Sequence, residues 1–472
     1  MKVVVAGAGG REHALVWKLS QSPHITKLFA APGNGGTGGE AKCENIPLPG
    51  DSASAEGQEA LLDFCKKNQV DYTIVGPEAP LAAGIVDRFR QAGAAIIGPD
   101  QNAARLETSK AHAKAFMERY GVNSGKFRIF SEYEAALHYA KKYFRQDSPD
   151  LEPRTGALRE QPARPFPPAS PLVIKADGLA GGKGVIIAHS LGEAESALHS
   201  FMREGVLGAA GKTILIEEFL AGREVSILAA VSVSPGKPGQ ILPFIPARDH
   251  KSRFSGGTGP NTGGMGAIAP VPDFSGAPQQ DFITRILTPT LRGMEQEKLE
   301  YRGFLFFGLM VKDTQCFLLE YNVRLGDPET QAVLPLLDAD LSDLCRAVLL
   351  GKLDSFPLAW KAGAVCAPVA VAEGYPGAYR KGDPITVAAE AFSHTKARLF
   401  IAGASLPSGT AQYPQAVSAG RVPPHSLVTS GGRVLTVAAR GSTHEEARAK
   451  AYQALAGVSF TGIACREDIG AS

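Results

Sequence analysis

Four short apolar runs open the chain, Lys2 to Ala6, Leu28 to Ala31, Tyr72 to Val75 and Ala95 to Ile97, and each stops at a glycine or proline turn. Runs this short, separated by segments with helical spacing, mark parallel strands joined by crossover helices. The turns read Gly7-Ala8-Gly9-Gly10, Pro32-Gly33-Asn34, Gly76-Pro77-Glu78 and Gly98-Pro99. In an open parallel sheet the ligand crevice lies beyond the carboxyl ends of the strands, so these turns are candidate site loops. The alternative is a set of ordinary tight turns.

At roughly 150 residues per domain, 472 residues predict about three domains. With 44% hydrophobic and 20% charged residues the chain can bury a core, which excludes a wholly disordered or fibrous polymer. Lys and Arg total 49 against 47 Asp and Glu, so no basic field argues for nucleic acid or an anionic membrane, and small-molecule chemistry is expected. The cysteines, Cys43, Cys65, Cys316, Cys345, Cys366 and Cys465, form no C-x-x-C pair and predict reduced, mostly buried thiols. Val3 to Ala6 is too short for a signal sequence, and no apolar stretch approaches the ~18 residues of a membrane span. A soluble, cytoplasmic protein is expected.

Helical spacing covers about 102 to 120 and 132 to 145, after which Gln146 to Pro171 is rich in Pro, Arg and Ser and predicts a surface excursion. Strand-like runs follow at Leu172 to Ala176, Val185 to Ala188, Thr213 to Phe219, Val225 to Val233, Phe304 to Val311 and Cys316 to Val323, the last two joined as a hairpin through Lys312-Asp313-Thr314-Gln315. Beyond about 330 a helix-rich stretch leads into another mixed region that ends in a helix from about Thr443 to Leu455. The expected class is α/β. Its parts are an N-terminal open parallel βα domain (1–105), a central domain of two α+β lobes (106–330, with the insertion near 146–171) and a C-terminal mixed domain (331–472).

The turn Gly7-x-Gly9-Gly10-Arg11-Glu12 invites a dinucleotide reading, but that fingerprint needs glycine where Glu12 stands. It also needs an acid near the end of the second strand, where Phe29-Ala30-Ala31-Pro32 has none. Gly9 and Gly10 at a helix N-terminus, beside Arg11, suit a single phosphate instead. The run from Lys175 to Gly184 (KADGLAGGKG) is one spacer short of a Walker loop and ends in glycine rather than Ser or Thr. Strand patterns on both sides predict a glycine loop between antiparallel strands, with Lys175 on the strand and Lys183 in the loop aimed at nucleotide phosphates. A bare glycine hairpin is the alternative.

Ile216 to Glu224 reads as a strand running into a connector whose main chain can bond a purine, with a carboxylate a few residues on for ribose hydroxyls. The most specific signal is Leu319-Glu320-Tyr321-Asn322-Val323-Arg324, where period two puts Glu320, Asn322 and Arg324 on one face. A carboxylate and an amide oxygen form an incomplete shell that suits Mg²⁺, which takes its other ligands from water and phosphate oxygens. Arg324 stands where charge develops on a transferring phosphoryl group. A surface ion pair is the alternative. Asp249-His250-Lys251 precedes the glycine-rich stretch Gly256 to Gly266, whose main-chain N–H groups can meet a small anion.

Taken in chain order, the βα domain, lysine-bearing glycine hairpin, connector and Glu-x-Asn-x-Arg strand resemble the ATP-grasp ligases. Over nearly its full length the chain more closely resembles the phosphoribosylamine–glycine ligase family, the glycinamide ribonucleotide synthetases. The stretches that carry this include Gly9 to Ala14, Ala31 to Asn34, Val75 to Leu81, Leu106 to Lys110, Lys175 to Val185, Asp249 to Lys251, Gly259 to Gly266, Arg324 to Gln331, Gly374 to Gly377 and Gly431 to Leu435. The resemblance implies that ATP phosphorylates the carboxylate of glycine and that the amine of 5-phosphoribosylamine then displaces phosphate. The products are glycinamide ribonucleotide, ADP and phosphate, in de novo purine biosynthesis.

By the same resemblance Lys110, Lys175 and Lys183 hold ATP phosphates, Glu217, Glu218 and Leu220 flank adenine, and Glu224 holds ribose. Glu320 and Asn322 bind Mg²⁺ or Mn²⁺, and Arg324, Lys183 and Asp249 act in catalysis. Gly9, Gly10, Arg11, Glu12, Asn34, Pro77 and Glu78, with Asn261, Thr262, Gly263, Gly264 and Met265, shape the sites for phosphoribosylamine and glycine. A cytoplasmic monomer working on small molecules, without nucleic acid or membrane, is implied. The chain departs from the family pattern at Ser252 (usually Arg), at Ser255 and Gly257 (usually acids), and at Ile401 and Ala404 in place of His and Thr. An ATP-grasp ligase with another amine acceptor, and a non-catalytic ATP-binding relative, are the alternative readings.

Overall fold

The computed structural model describes residues 1–144, 170–179, 184–409, 413–415, 417–423 and 425–471; Lys183 and residues 146–169 of the expected excursion lie outside them. The opening alternation forms a parallel sheet of β1 (Lys2–Gly7), β2 (Lys27–Pro32), β3 (Cys43–Asn45), β4 (Tyr72–Val75) and β5 (Ile96–Pro99), ordered β3-β2-β1-β4-β5. Helices α1 (Gly10–Ser20), α2 (Ala55–Asn68), α3 (Glu78–Ala82) and α4 (Ile85–Gln91) fill the crossovers. Val3 to Ala6 are fully buried, as strands covered on both faces must be. β3 is a short edge strand, Cys43-Glu44-Asn45, that no apolar run announces.

The helical spacing over 102 to 120 reads as one helix, but two form, α5 (Gln101–Thr108) and α6 (Lys110–Tyr120). Ser109 between them has extended backbone, and its hydroxyl accepts the His112 N–H at 3.0 Å. A serine that satisfies an orphan N–H starts a helix more favourably than it continues one, by ~1 kcal/mol. The break frees the start of α6 for Asp177, whose carboxylate accepts the Ala111 N–H at 3.1 Å and ties the glycine loop to the helix.

Next come β6 (Phe127–Phe130), α7 (Tyr133–Phe144), β7 (Leu172–Ala176), β8 (Val185–Ala188), α8 (Leu191–Met202) and β9 (Ile214–Glu218). The strands make an antiparallel sheet, β6-β9-β7-β8, and Ala136, Ala140, Ala194 and Leu198 seat α7 and α8 on it. The glycine loop joins β7 to β8 as expected, with Lys175 opposite Val185. Past it run β10 (Arg223–Val233), β11 (Gln240–Pro243), β12 (Arg248–Asp249), the hairpin of β13 (Ser252–Phe254) and β14 (Thr258–Asn261), β15 (Gly266–Ala269), and the hairpin of β16 (Tyr301–Lys312) and β17 (Gln315–Asn322).

β16 also pairs with β5, Tyr301 opposite Pro99 and Arg302 opposite Gly98, so the N-terminal sheet continues into β16, β10, β11 and β17 as one nine-stranded sheet. Only bare backbone fits where the two meet: a Cβ on Gly303 would stand 2.9 Å from the Gly98 Cα. β15 pairs with β18 (Ala364–Val371), which is buried along its length and pairs in turn with the strand Arg433–Gly441. One apolar cluster draws Leu15 and Leu19 of α1, Leu344 and Val348 of the helix Leu341–Leu350, and Phe400 together. The N-terminal loops and the C-terminal strands therefore face the same space.

Candidate active site

That space is a cavity of about 600 Å³, walled by the carboxyl ends of β1 and β4, by α6, by β7, β9 and β17, and by Tyr375 and Arg433. On its first wall Lys110 and Lys114 sit one turn apart on α6, where positions i and i+4 share a face. Lys110 Nζ donates to the Gly178 carbonyl at 3.0 Å. Across from them, Glu217 of β9 is 3% exposed, with Lys114 Nζ and Lys175 Nζ each 3.0 Å from one of its oxygens. Burial pushes the Glu217 carboxyl up, but the two ammoniums outweigh burial and hold it below the ordinary carboxylate value.

The strand period turns Glu218 the other way, to accept the Lys126 N–H at 2.7 Å. Leu220 packs toward Gly125, and Glu224 Oε2 lies 3.2 Å from Lys251 Nζ. These three side chains are not among those lining the cavity.

Glu320, Asn322 and Arg324 line the opposite wall together, although β17 ends at Asn322 and Arg324 lies just beyond it. Burial drives Glu320 up, and the ammoniums of Lys251, Lys175 and Lys110 pull it back below its usual value, so it stays ionised. An ionised carboxylate beside an amide oxygen is a hard donor set, and these residues fit Mg²⁺ or Mn²⁺. Arg324 is fixed from three sides: Nε lies 3.1 Å from Glu78 Oε2, Nη2 lies 2.9 Å from Glu107 Oε1, and Nη2 donates to Asn322 Oδ1 at 3.2 Å. Glu107 is steadied by the Val323 N–H at 2.7 Å.

The third wall carries Asp249, Lys251, Thr262, Gly263, Asp327, Glu329, Tyr375 and Arg433. Arg433 Nη1 donates to the carbonyl of Asp327 at 2.7 Å, and the Tyr375 hydroxyl accepts the Gly263 N–H at 3.0 Å. Asp249 Oδ1 is buried without a hydrogen-bond partner. Burial, offset by Lys251 and reinforced by Glu329 and Glu224, raises this carboxyl to about 7.

The N-terminal loop brings Gly9, Arg11 and Glu12 to the cavity as expected, but not as a free phosphate seat. The Gly9 N–H, read as a phosphate seat, donates to Glu12 Oε2 at 2.5 Å, and Arg11 Nε lies 2.5 Å from Glu12 Oε1. Glu12 thus fills the start of α1 itself, the N3 carboxylate of a capping box. Pro77 and Glu78 line the cavity, whereas Gly10 and Asn34 do not. The Asn34 amide is spent on the carbonyls of Ala8, at 2.9 Å, and Ile401, at 2.8 Å, bracing the site loop from behind. In the glycine-rich stretch Thr262 and Gly263 reach the cavity, Asn261 is exposed on β14, Gly264 is buried, and Met265 is buried against Val369 and Val371. Lys183 lies outside the described residues.

Lys114, Glu107, Lys251, Asp327, Glu329, Tyr375 and Arg433 line the cavity without having been singled out for a role from the sequence. For Lys114 the signal was present in its spacing from Lys110. Tyr375 and Arg433 stand more than a hundred residues from Gly263, in the stretches Gly374 to Gly377 and Gly431 to Leu435 that carry the family resemblance but assign them no role.

An antiparallel lobe with a lysine-bearing glycine loop, facing a second lobe whose edge strand carries Glu320 and Asn322, defines an ATP-grasp ligase. Family models described as the N domain, the ATP-grasp (A) domain and the C domain of phosphoribosylglycinamide synthetase match residues 1–107, 158–330 and 364–472. The chain belongs to the phosphoribosylglycinamide synthetase family. It is 42% identical over 472 residues to the phosphoribosylamine–glycine ligase of Clostridium acetobutylicum, covering all of both chains. To that of Pseudomonas aeruginosa it is 41% identical, covering all of this chain and 97% of the relative. The crystal structure of the Thermotoga maritima phosphoribosylamine–glycine ligase is similar with a TM-score of 0.76 at 32% identity, over 99% of this chain and 100% of that one. A Campylobacter jejuni biotin carboxylase structure shares the fold alone, with a TM-score of 0.65 at 16% identity over 98% of this chain and 92% of that one.

Proposed function

We propose that the chain catalyses the ATP-dependent joining of glycine to 5-phosphoribosylamine, giving glycinamide ribonucleotide, ADP and phosphate in de novo purine biosynthesis. The observation that carries this reading is the match to all three domains of one ligase family in a chain whose cavity gathers lysines, paired acids and Arg324. Lys110 and Lys175 hold the phosphates of ATP, with Lys183 completing the set, and the connector after Glu217 takes adenine. Glu320 and Asn322 hold the divalent cation, which when bound offsets phosphate charge and orients the triphosphate.

A carboxylate oxygen of glycine attacks the γ-phosphorus, the bond to ADP breaks, and Arg324 stabilises the charge that spreads over the phosphoryl oxygens. The amine of phosphoribosylamine then attacks the acyl carbon, the C–N bond forms, and phosphate leaves with the C–O bonding pair. Asp249, raised toward neutrality, takes the proton that the amine loses. An acyl phosphate hydrolyses unless water is kept from it until the amine arrives, so both substrates must be bound in this cavity together. The departures from the family pattern do not favour another acceptor: Ser252, Ser255 and Gly257 sit on the β13–β14 hairpin outside the cavity lining, and Ile401 and Ala404 are buried.

The test is ADP release by the purified protein with Mg-ATP, with and without glycine and phosphoribosylamine made in situ from ribose 5-phosphate and ammonia. Release that requires both substrates is expected. Release with glycine and a different amine, but not with phosphoribosylamine, would overturn the assignment.

A further inference from the structure

Lys114 is a buried cation of the cavity that the roles above leave unused. It is 2% exposed, stands on the same face of α6 as Lys110, and lies over the Phe127 ring at 5.7 Å. Its Nζ is 3.0 Å from Glu217 Oε2, while the other oxygen of the same carboxylate, Oε1, is 3.0 Å from Lys175 Nζ. Two lysines therefore share one carboxylate; Glu217 opposes the burial that lowers Lys114, and with both lysines protonated the group carries one net positive charge.

That stoichiometry decides what Lys175 can do. With Glu217 alone as neighbour, the Lys175 charge would be cancelled by its 3.0 Å partner, and a buried, neutral pair attracts a polyphosphate weakly. We infer that Lys114 is a positioning residue that neutralises Glu217 and so leaves the charge of Lys175 available to the phosphates of the nucleotide. Glu217 in turn holds Lys175 at the end of β7, beside the glycine loop, instead of letting its four-carbon stem wander. The inference rests on the ATP reading of this cavity.

The experiment is calorimetric binding of Mg-ADP to the full chain, with KM for ATP and for glycine measured alongside. Lys114→Gln is expected to weaken ADP binding and raise KM for ATP about tenfold or more, the size of a lost charge-assisted contact, with KM for glycine unchanged. Adding Glu217→Gln removes the charge that Lys114 neutralises and leaves an amide oxygen of the same reach to hold Lys175, so K114Q/E217Q is expected to bind ADP more tightly than K114Q and within about threefold of wild type. A double mutant no better than K114Q would mean that Lys114 touches the nucleotide itself, and would overturn the positioning role. If K114Q does not fold, comparison of K114Q/E217Q with wild type carries the same test, and a tenfold weaker double mutant overturns the proposal. Wild type that binds no ADP overturns the ATP reading itself, and this inference with it.

Discussion

Arg324 and Glu107 meet at 2.9 Å, Nη2 to Oε1, although 217 positions separate them in the chain, and Glu78 takes the Arg324 Nε at 3.1 Å. The guanidinium is thereby aimed by residues from two other elements before any substrate arrives, the preorganisation on which charge stabilisation depends. Arg324→Lys is expected to lower kcat by roughly 10²-fold or more, because an ammonium cannot satisfy Glu78 and Glu107 in two directions while facing a phosphoryl group. Steady-state kinetics on a variant of unchanged fold decide this, and retention of most of kcat would remove Arg324 from the phosphoryl step.

Glu320→Ala is expected to abolish metal-dependent turnover while the fold persists. The carboxylate is kept ionised by Lys251, Lys175 and Lys110 against its burial, and no neighbouring acid on β17 replaces it. Activity against Mg²⁺ and Mn²⁺ concentration is the measurement; near-normal rates at saturating metal would show that the cation is held elsewhere.

Asp249 links activity and stability to pH in opposite senses. Its carboxyl is raised to about 7, above its ordinary value, so the folded protein binds more protons than the unfolded chain between about pH 4 and 7. Its contribution to stability therefore falls as pH rises through that window and stays low above it, while the basic form needed to accept a proton grows. Turnover is expected to rise with pH up to about 7 and to lose that limb in Asp249→Asn. The same variant is expected to melt higher than wild type at pH 8. A variant with an unaltered pH profile would exclude Asp249 as the base.

Gly76 packs where no side chain fits, since a Cβ there would stand 2.0 Å from Glu12 Oε1. Gly76→Ala is expected to cost ~1–3 kcal/mol and to displace the Glu12 carboxylate from the start of α1. Thermal unfolding reads the first effect, and a weakened KM for the phosphorylated amine reads the second. An unchanged melting curve would mean that the loop relaxes freely.

Strands β1, β2, β4 and β5 and the β16–β17 hairpin were legible because their signals are local, short apolar runs closed by turns, whereas β3 has no such run. Glu320 and Asn322 were legible for the same reason, both lying on one face of a strand. The split of residues 102 to 120 at Ser109 was missed because helical periodicity on both sides hides a single capping hydroxyl. Glu12 was missed as the anion at the start of α1 because a glycine turn reads the same whether it faces a phosphate or a carboxylate three residues on.

Backbone pattern and turn chemistry thus specify the strands, the turn between β7 and β8 and the shared face of Glu320 and Asn322, since each depends on neighbours within a few residues. The continuity of the sheet through Gly98 and Gly303, the sharing of Glu217 between Lys114 and Lys175, and the closing of the cavity by Tyr375 and Arg433 emerge only on folding. Those contacts join segments tens to hundreds of residues apart. Their energies come from desolvation and charge pairing between surfaces that meet when the apolar clusters close, and no spacing along the chain records which surfaces those are.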